Sequence, residues 1–109
     1  MAQTTHSAFA NVSASTTDSV LVSADTLSRA IKVVSVAFVA GATATNATFN
    51  TMGSGAGTAI LCLFANGANG GAVLNRNEDG WFCTISGQAL TLTTGSGSAT
   101  GVLVNYILV

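Results

Sequence analysis

Residues 89–109 read ALTLTTGSGSATGVLVNYILV and contain the pattern that decides the fold. Leucine alternates with threonine at the start of this stretch, which predicts a β-strand with its leucines facing inward and Thr91 and Thr93 facing solvent. A Gly/Ser turn then interrupts the chain briefly before an apolar run resumes. Because a short connection joins antiparallel strands, whereas parallel strands need a long crossover, this stretch predicts antiparallel pairing.

Short apolar runs separated by Gly- and Asn-rich turns continue towards the N-terminus. No segment shows the 3.6-residue spacing of an amphipathic helix over more than two turns. Val and Thr, which favour pleated structure, are abundant. Eight short strands with tight turns predict an all-β fold, a single antiparallel β-sandwich of the jelly-roll type. The predicted strands are 18–24, 29–40, 44–52, 58–65, 71–75, 81–85, 89–94 and 100–109.

Residues 1–17 differ from the rest of the chain. They are uncharged and rich in Ser, Thr and Ala, with Phe9 and Val12 as their larger apolar side chains besides the initial methionine. A weak strand over 7–12 is compatible with this pattern. Otherwise we expect an extended N-terminal arm that becomes ordered only against a neighbour. We therefore divide the chain into an arm, 1–17, and a sandwich domain, 18–109.

Charge is scarce in this protein. Its 109 residues include three basic and four acidic side chains, a formal net charge of −1 and no proline. Charged residues make up 6% of the chain, against about 25% in an average soluble domain. Without a basic surplus we expect no nucleic-acid partner, and the apolar content of 49% argues against disorder. The longest apolar run, 59–65, is far shorter than the roughly 20 residues of a membrane-spanning helix.

Several predicted strands are apolar on both faces, notably 58–65, 100–109 and the part 31–39 of the strand 29–40. In a two-layer sandwich each sheet has one inward face, so an apolar outer face predicts burial against another subunit. The low charge supports this interpretation, because surface charge normally keeps a small domain soluble and monomeric. We therefore expect a homo-oligomer. The residues assigned to its interface are Ile31, Val33, Ala37, Val39, Leu103, Ile107 and Val109.

The titratable side chains form no recognisable catalytic pattern. His6 is the chain's one histidine and lies in the predicted arm, where a Ser-His-Asp triad would lack a rigid base. Glu78 and Asp79 belong to the segment NEDG, which is typical of a hairpin turn. We expect no enzymatic activity, no cofactor and no metal site.

Two other residue types were candidates for chemistry. Cys62 and Cys83 lie inside apolar runs, which favours buried, reduced thiols, although a disulfide stays open. Trp81 could stack on a sugar, but its place at the start of an apolar run favours a role in closing one end of the sandwich.

The order of these segments resembles the small virion structural proteins of tailed bacteriophages. The most specific piece is DGWF at 79–82 followed by SGQALTL at 86–92, which is similar to a Gly-Trp-Phe … Gly-x-x-Leu stretch in that family. The resemblance covers about 16–109 and implies a jelly-roll or similar sandwich. It also implies a non-enzymatic, multi-copy part of the particle, with a capsid decoration (cement) protein as the best fit.

That role implies a trimer on the capsid surface, with the major capsid protein as partner. The N-terminus lacks the features of a secretory signal, so we expect synthesis in the host cytoplasm. We expect the arm, through His6, Phe9 and Val12, to contact the capsid. Two alternatives stay open: a carbohydrate-binding module of a fibre or tail tip, which predicts an exposed aromatic platform, and a head–tail connector or tail component.

Overall fold

A computed structural model describes residues 4–109 and confirms the predicted antiparallel β-sandwich. Within these residues no helix is long and apolar enough to cross a membrane. The strands in chain order are β1 (His6–Val12), β2 (Ser19–Val22), β3 (Ile31–Ala40), β4 (Thr45–Met52), β5 (Thr58–Ala59), β6 (Phe64–Asn66), β7 (Gly71–Leu74), β8 (Phe82–Cys83), β9 (Ala89–Thr94) and β10 (Thr100–Leu108).

The strands form two five-stranded sheets. The first sheet has the order β1-β10-β3-β7, with β8 also pairing with β3. The second sheet has the order β2-β9-β4-β5, with β6 also pairing with β4. All pairings are antiparallel. The first strand pairs with the last in one sheet and the second with the next-to-last in the other, which is the winding of a jelly roll.

The N-terminal segment contributes a strand to this fold. Within 1–17, β1 forms close to the weak strand expected over 7–12 and pairs with β10 of the same chain. Its last residue, Val12, is 1% exposed and belongs to the core, and Ala8 and Ala10 pack against that core. Small apolar residues at alternate positions therefore give β1 one inward face, which the composition of the segment obscured.

A cluster of phenylalanines occupies the space between the sheets. The rings of Phe38 and Phe64 have centroids 4.7 Å apart, and those of Phe49 and Phe82 are 5.1 Å apart. Phe38 and Phe82 belong to the first sheet, while Phe49 and Phe64 belong to the second. Each aromatic pair adds about 0.5–1.5 kcal/mol beyond the burial of its area, so this cluster is a strong link between the sheets.

A β-bulge changes the face that β3 presents. The pairing of β10 with β3 steps from Ser35 to Val33, which leaves Val34 unpaired. Ile31 and Val33, expected on the outer face, are both completely buried and belong to the core. Strict alternation placed both side chains on the outer face. This prediction was wrong because a bulge inserts one residue, which moves the side chains beyond it to the opposite face of the strand.

The outer face of β9 is also different from expectation. Thr91 was expected to face solvent but is completely buried, and its hydroxyl donates to Asp18 Oδ1 at 3.0 Å. The same carboxylate accepts a hydrogen bond from Asn50 Nδ2 at 3.2 Å and one from the Gly57 N–H at 2.9 Å. The prediction of a wet face for Thr91 was therefore wrong, because the start of β2 and the segment after β4 fold over this part of the second sheet.

Candidate interaction surface

An apolar row crosses the outer face of the first sheet. Phe9 on β1 is paired with Leu103 on β10, Leu103 with Ala37 on β3, and Ala37 with Val73 on β7. The exposed fraction is 84% for Phe9, 68% for Val73 and 42% for Leu103. Four strands that are neighbours in the sheet thus place their outward apolar residues side by side. We call these four residues the apolar row.

A second row of smaller residues runs beside the apolar row. It consists of Asn11, Gly101, Val39 and Gly71, which are paired in that order from β1 to β7. A shallow groove of about 390 Å³ lies between the two rows, with Ala37 and Gly101 among the residues that line it. Neither row contains a charged side chain. We call Asn11, Gly101, Val39 and Gly71 the glycine row.

Polar side chains border the apolar row on its other side. Ser7 Oγ donates to Asn105 Oδ1 at 2.5 Å, and Asn105 Nδ2 donates to Ser35 Oγ at 2.8 Å. These three residues are paired across β1, β10 and β3. An apolar centre with a hydrogen-bonded polar border is the usual composition of a protein–protein contact surface.

The predicted interface residues divide into two groups. Ala37, Val39 and Leu103 lie on this outer face, and Val109 is 44% exposed with its backbone paired to Ala30. Ile31, Val33 and Ile107 are buried within the chain's own fold. A side chain buried in its own fold is not available to a partner. Ala37, Val39, Leu103 and Val109 therefore remain the candidates for an interface.

The three residues predicted to contact a capsid also lie in different environments. Phe9 is exposed and lines the groove. His6 is exposed and its ring stacks on Tyr106, with centroids 5.3 Å apart. Val12 is buried in the core and cannot contact a partner while β1 stays paired. Of these three residues, Phe9 is the one that presents a large apolar side chain to solvent.

The loop that follows β7 carries an ion pair. Arg76 Nε donates to Glu78 Oε1 at 2.6 Å, and Arg76 Nη2 donates to Thr5 Oγ1 at 3.1 Å. Trp81, 43% exposed, donates its indole N–H to the carbonyl oxygen of Asn75 at 2.6 Å. This hydrogen bond fixes one edge of the indole on the adjoining loop.

Four of the charged side chains form two local ion pairs, Arg29 with Asp25 and Arg76 with Glu78. The guanidinium of Arg29 donates to Asp25 and lowers the pKa of that carboxyl group, and Arg76 lowers the pKa of Glu78 in the same way. Among residues 4–109, no group of three or more His, Cys, Asp or Glu side chains comes together as a metal site would require.

The two cysteines are free and exposed, so the prediction of buried thiols was wrong. Cys62 falls between β5 and β6, where the predicted strand 58–65 is interrupted. Cys83 lies on the two-residue strand β8, and burial of its surroundings raises the pKa of the thiol, an effect that the charge of Lys32 partly opposes. Apolar neighbours in sequence did not indicate burial because neither residue falls on an inward face.

Sequence reasoning missed one member of the apolar row. Val73 occurs in the short run AVL, which was predicted as a strand without any assignment of its faces. Its place beside Ala37 follows from the pairing of β7 with β3. No local signal indicates that pairing, because thirty residues of chain separate the two strands.

Comparisons with known proteins find a similarity of fold. No protein-family model matches this chain, and no curated protein does. A solved structure described as "Bacillus endospore appendages form a novel family of disulfide-linked pili" is similar, with a TM-score of 0.51 and 16% sequence identity. The alignment covers 97% of this chain and 88% of the other. At this identity the likeness shows a shared sheet-rich fold with a structural protein.

Proposed function

We propose that the chain is a non-enzymatic structural subunit that works in a multi-copy assembly. The observation that carries this proposal is the apolar row, which exposes Phe9, Leu103 and Val73 together on one face of a sheet. Contiguous exposed apolar patches on soluble domains are typical of interaction sites. The two local ion pairs, Arg29 with Asp25 and Arg76 with Glu78, support the same choice, because catalysis needs titratable groups that converge on one site.

The more specific proposal is a capsid decoration protein of a tailed phage, located on the head surface and bound to the major capsid protein. It rests on the resemblance of residues 79–92 and on the jelly-roll winding, which suits a compact domain attached to a shell. The resemblance implies a trimer. The similar pilus fold favours a second candidate, a subunit of a filamentous surface appendage, because that protein is also an assembled structural subunit.

Immunogold electron microscopy on phage particles and cells from the source culture separates these candidates. Label distributed over the capsid shell, together with a copy number comparable to that of the major capsid protein, supports decoration. Label on tails, fibre tips or filaments would place the protein elsewhere. Loss of particle binding in a Phe9→Ser variant, with Val20→Ala on the second sheet as control, would connect the placement to the apolar row.

Deleting residues 1–17 is a less specific test than this substitution. The deletion removes all of β1 and the buried Val12 and leaves the edge of β10 unpaired. Loss of binding could then follow from a damaged fold. Phe9 is 84% exposed, so replacing its side chain changes the surface while the strand pairing is retained.

A further inference from the structure

We propose that two copies of this chain bind face to face through the first sheet, related by a two-fold axis that runs parallel to the strands between β10 and β3. This inference rests on the proposed structural function and names the partner of the apolar row as a second copy of the same chain. The contact is isologous, so each residue pair occurs twice.

The order of side chains in the apolar row carries the argument. From β1 to β7 the row reads Phe9, Leu103, Ala37 and Val73. A two-fold axis along the strands lays the row of one copy over the reversed row of the other. Phe9 then faces Val73 of the second copy, and Leu103 faces Ala37. In both pairs a larger side chain meets a smaller one, as interdigitation of packed sheets requires.

The glycine row has the same property independently. It reads Asn11, Gly101, Val39 and Gly71 from β1 to β7. The same axis places Val39 over Gly101 and Asn11 over Gly71 of the second copy. An axis perpendicular to the strands and through the apolar row would instead place each residue of that row over its own equivalent, so that Phe9 would meet Phe9, and it would place the glycine row over the polar border.

Charge and area also fit a second copy. Neither row carries a charged side chain, so two copies approach without like-charge repulsion, whereas a nucleic acid or a highly charged partner would find no counter-charge there. The large apolar side chains of the two rows together expose an area on the order of 400 Å². This total follows from their exposed fractions if each whole side chain has an area of about 150–200 Å². A standard interface buries about 800 Å² per partner with a polar border, so this face supports a weak dimer.

Sedimentation velocity from about 1 μM to about 1 mM tests the pairing through a size exchange. Leu103→Ala leaves a gap, and Ala37→Leu opposes two leucines, so each raises the dimer dissociation constant by roughly tenfold or more. The double variant Leu103→Ala/Ala37→Leu restores a large–small pair and should return the constant close to the wild-type value. Val20→Ala, on the second sheet, is the matched control.

A measurement on the unmodified protein covers the case in which a variant does not fold. Methyl chemical shifts of Leu103, Val39 and Val73 should move with concentration, while those of Val20 stay constant. Single variants without effect, or a double variant that does not regain dimerisation, would overturn the pairing. A concentration-independent trimer insensitive to these changes would overturn it as well, yet leave the proposed structural function standing. A wild-type chain that stays monomeric and is absent from particles and filaments would contradict both.

Discussion

Asp18→Ala should be the most destabilising single change at a charged residue of this protein. The Asp18 carboxylate accepts hydrogen bonds from Thr91, Asn50 and the Gly57 backbone and so joins β9, β4 and the segment before β5 to the start of β2. Hydrogen bonds to charged groups contribute about 1.5–3 kcal/mol each, and a buried donor left without a partner costs about 1–3 kcal/mol. Thr91 is completely buried, so its hydroxyl would be left in that state.

The three bonds are not additive, and water can replace part of them at a half-buried carboxylate, so we expect a loss of about 2–4 kcal/mol. The backbone of Asp18 has a φ of 52°, where alanine costs about 1 kcal/mol more than Asp or Asn. The sum, about 3–5 kcal/mol, corresponds to a fall in Tm of about 12–20 °C for a domain of this size.

Thermal unfolding followed by circular dichroism measures this effect directly. Asp18→Asn keeps a residue that tolerates positive φ and one acceptor oxygen, so it should lose about half as much. Asp79→Ala, at an exposed turn position, is the control and should leave Tm nearly unchanged. If Asp18→Ala unfolds within a few degrees of the control, the carboxylate network does not hold the second sheet as described.

The remaining predictions concern the first sheet and the thiols. Val12→Ala should cost about 2–3 kcal/mol of stability in denaturant unfolding, whereas Phe9→Ala should cost almost nothing; equal effects would show that β1 is not part of the folded domain. Gly71→Ala should detach or shift β7, because a Cβ atom would lie 1.9 Å from the Phe38 carbonyl oxygen; hydrogen exchange at β7 should rise relative to Gly67→Ala, where a Cβ atom meets nothing within 4 Å, and unchanged exchange would refute the close approach. Iodoacetamide should modify both cysteines of the native protein, with a rate at Cys83 that increases with pH through a midpoint above that of an ordinary thiol; protection of both until unfolding would contradict their exposure.

Much of the architecture follows from local patterns in the sequence. Residues 89–94 form a strand as predicted, because alternation and flanking turns are properties of adjacent residues. Gly- and Asn-rich turns also separate strands in the structure, as predicted. The candidate surface was predicted in part, since Ala37, Val39 and Leu103 were expected on an outer apolar face and lie there.

Orientation and neighbourhood depended on tertiary structure. The bulge at Val34 turns Ile31 and Val33 into the core, and it is a property of two paired strands rather than of either one. Thr91 is buried by Asp18, which lies 73 positions away in the chain, so alternation within β9 could not reveal it. The apolar row depends on three separate strand registers that bring Phe9, Leu103, Ala37 and Val73 side by side.

The sequence by itself therefore determined that this is an antiparallel β-sandwich with few charges, because turns, alternation and composition act over short stretches of chain. Only the tertiary structure decided which apolar side chains fill the core and which form an exposed surface. The physical reason is that the period of a strand is two residues, so a single bulge or a one-residue change of register moves every following side chain to the opposite face.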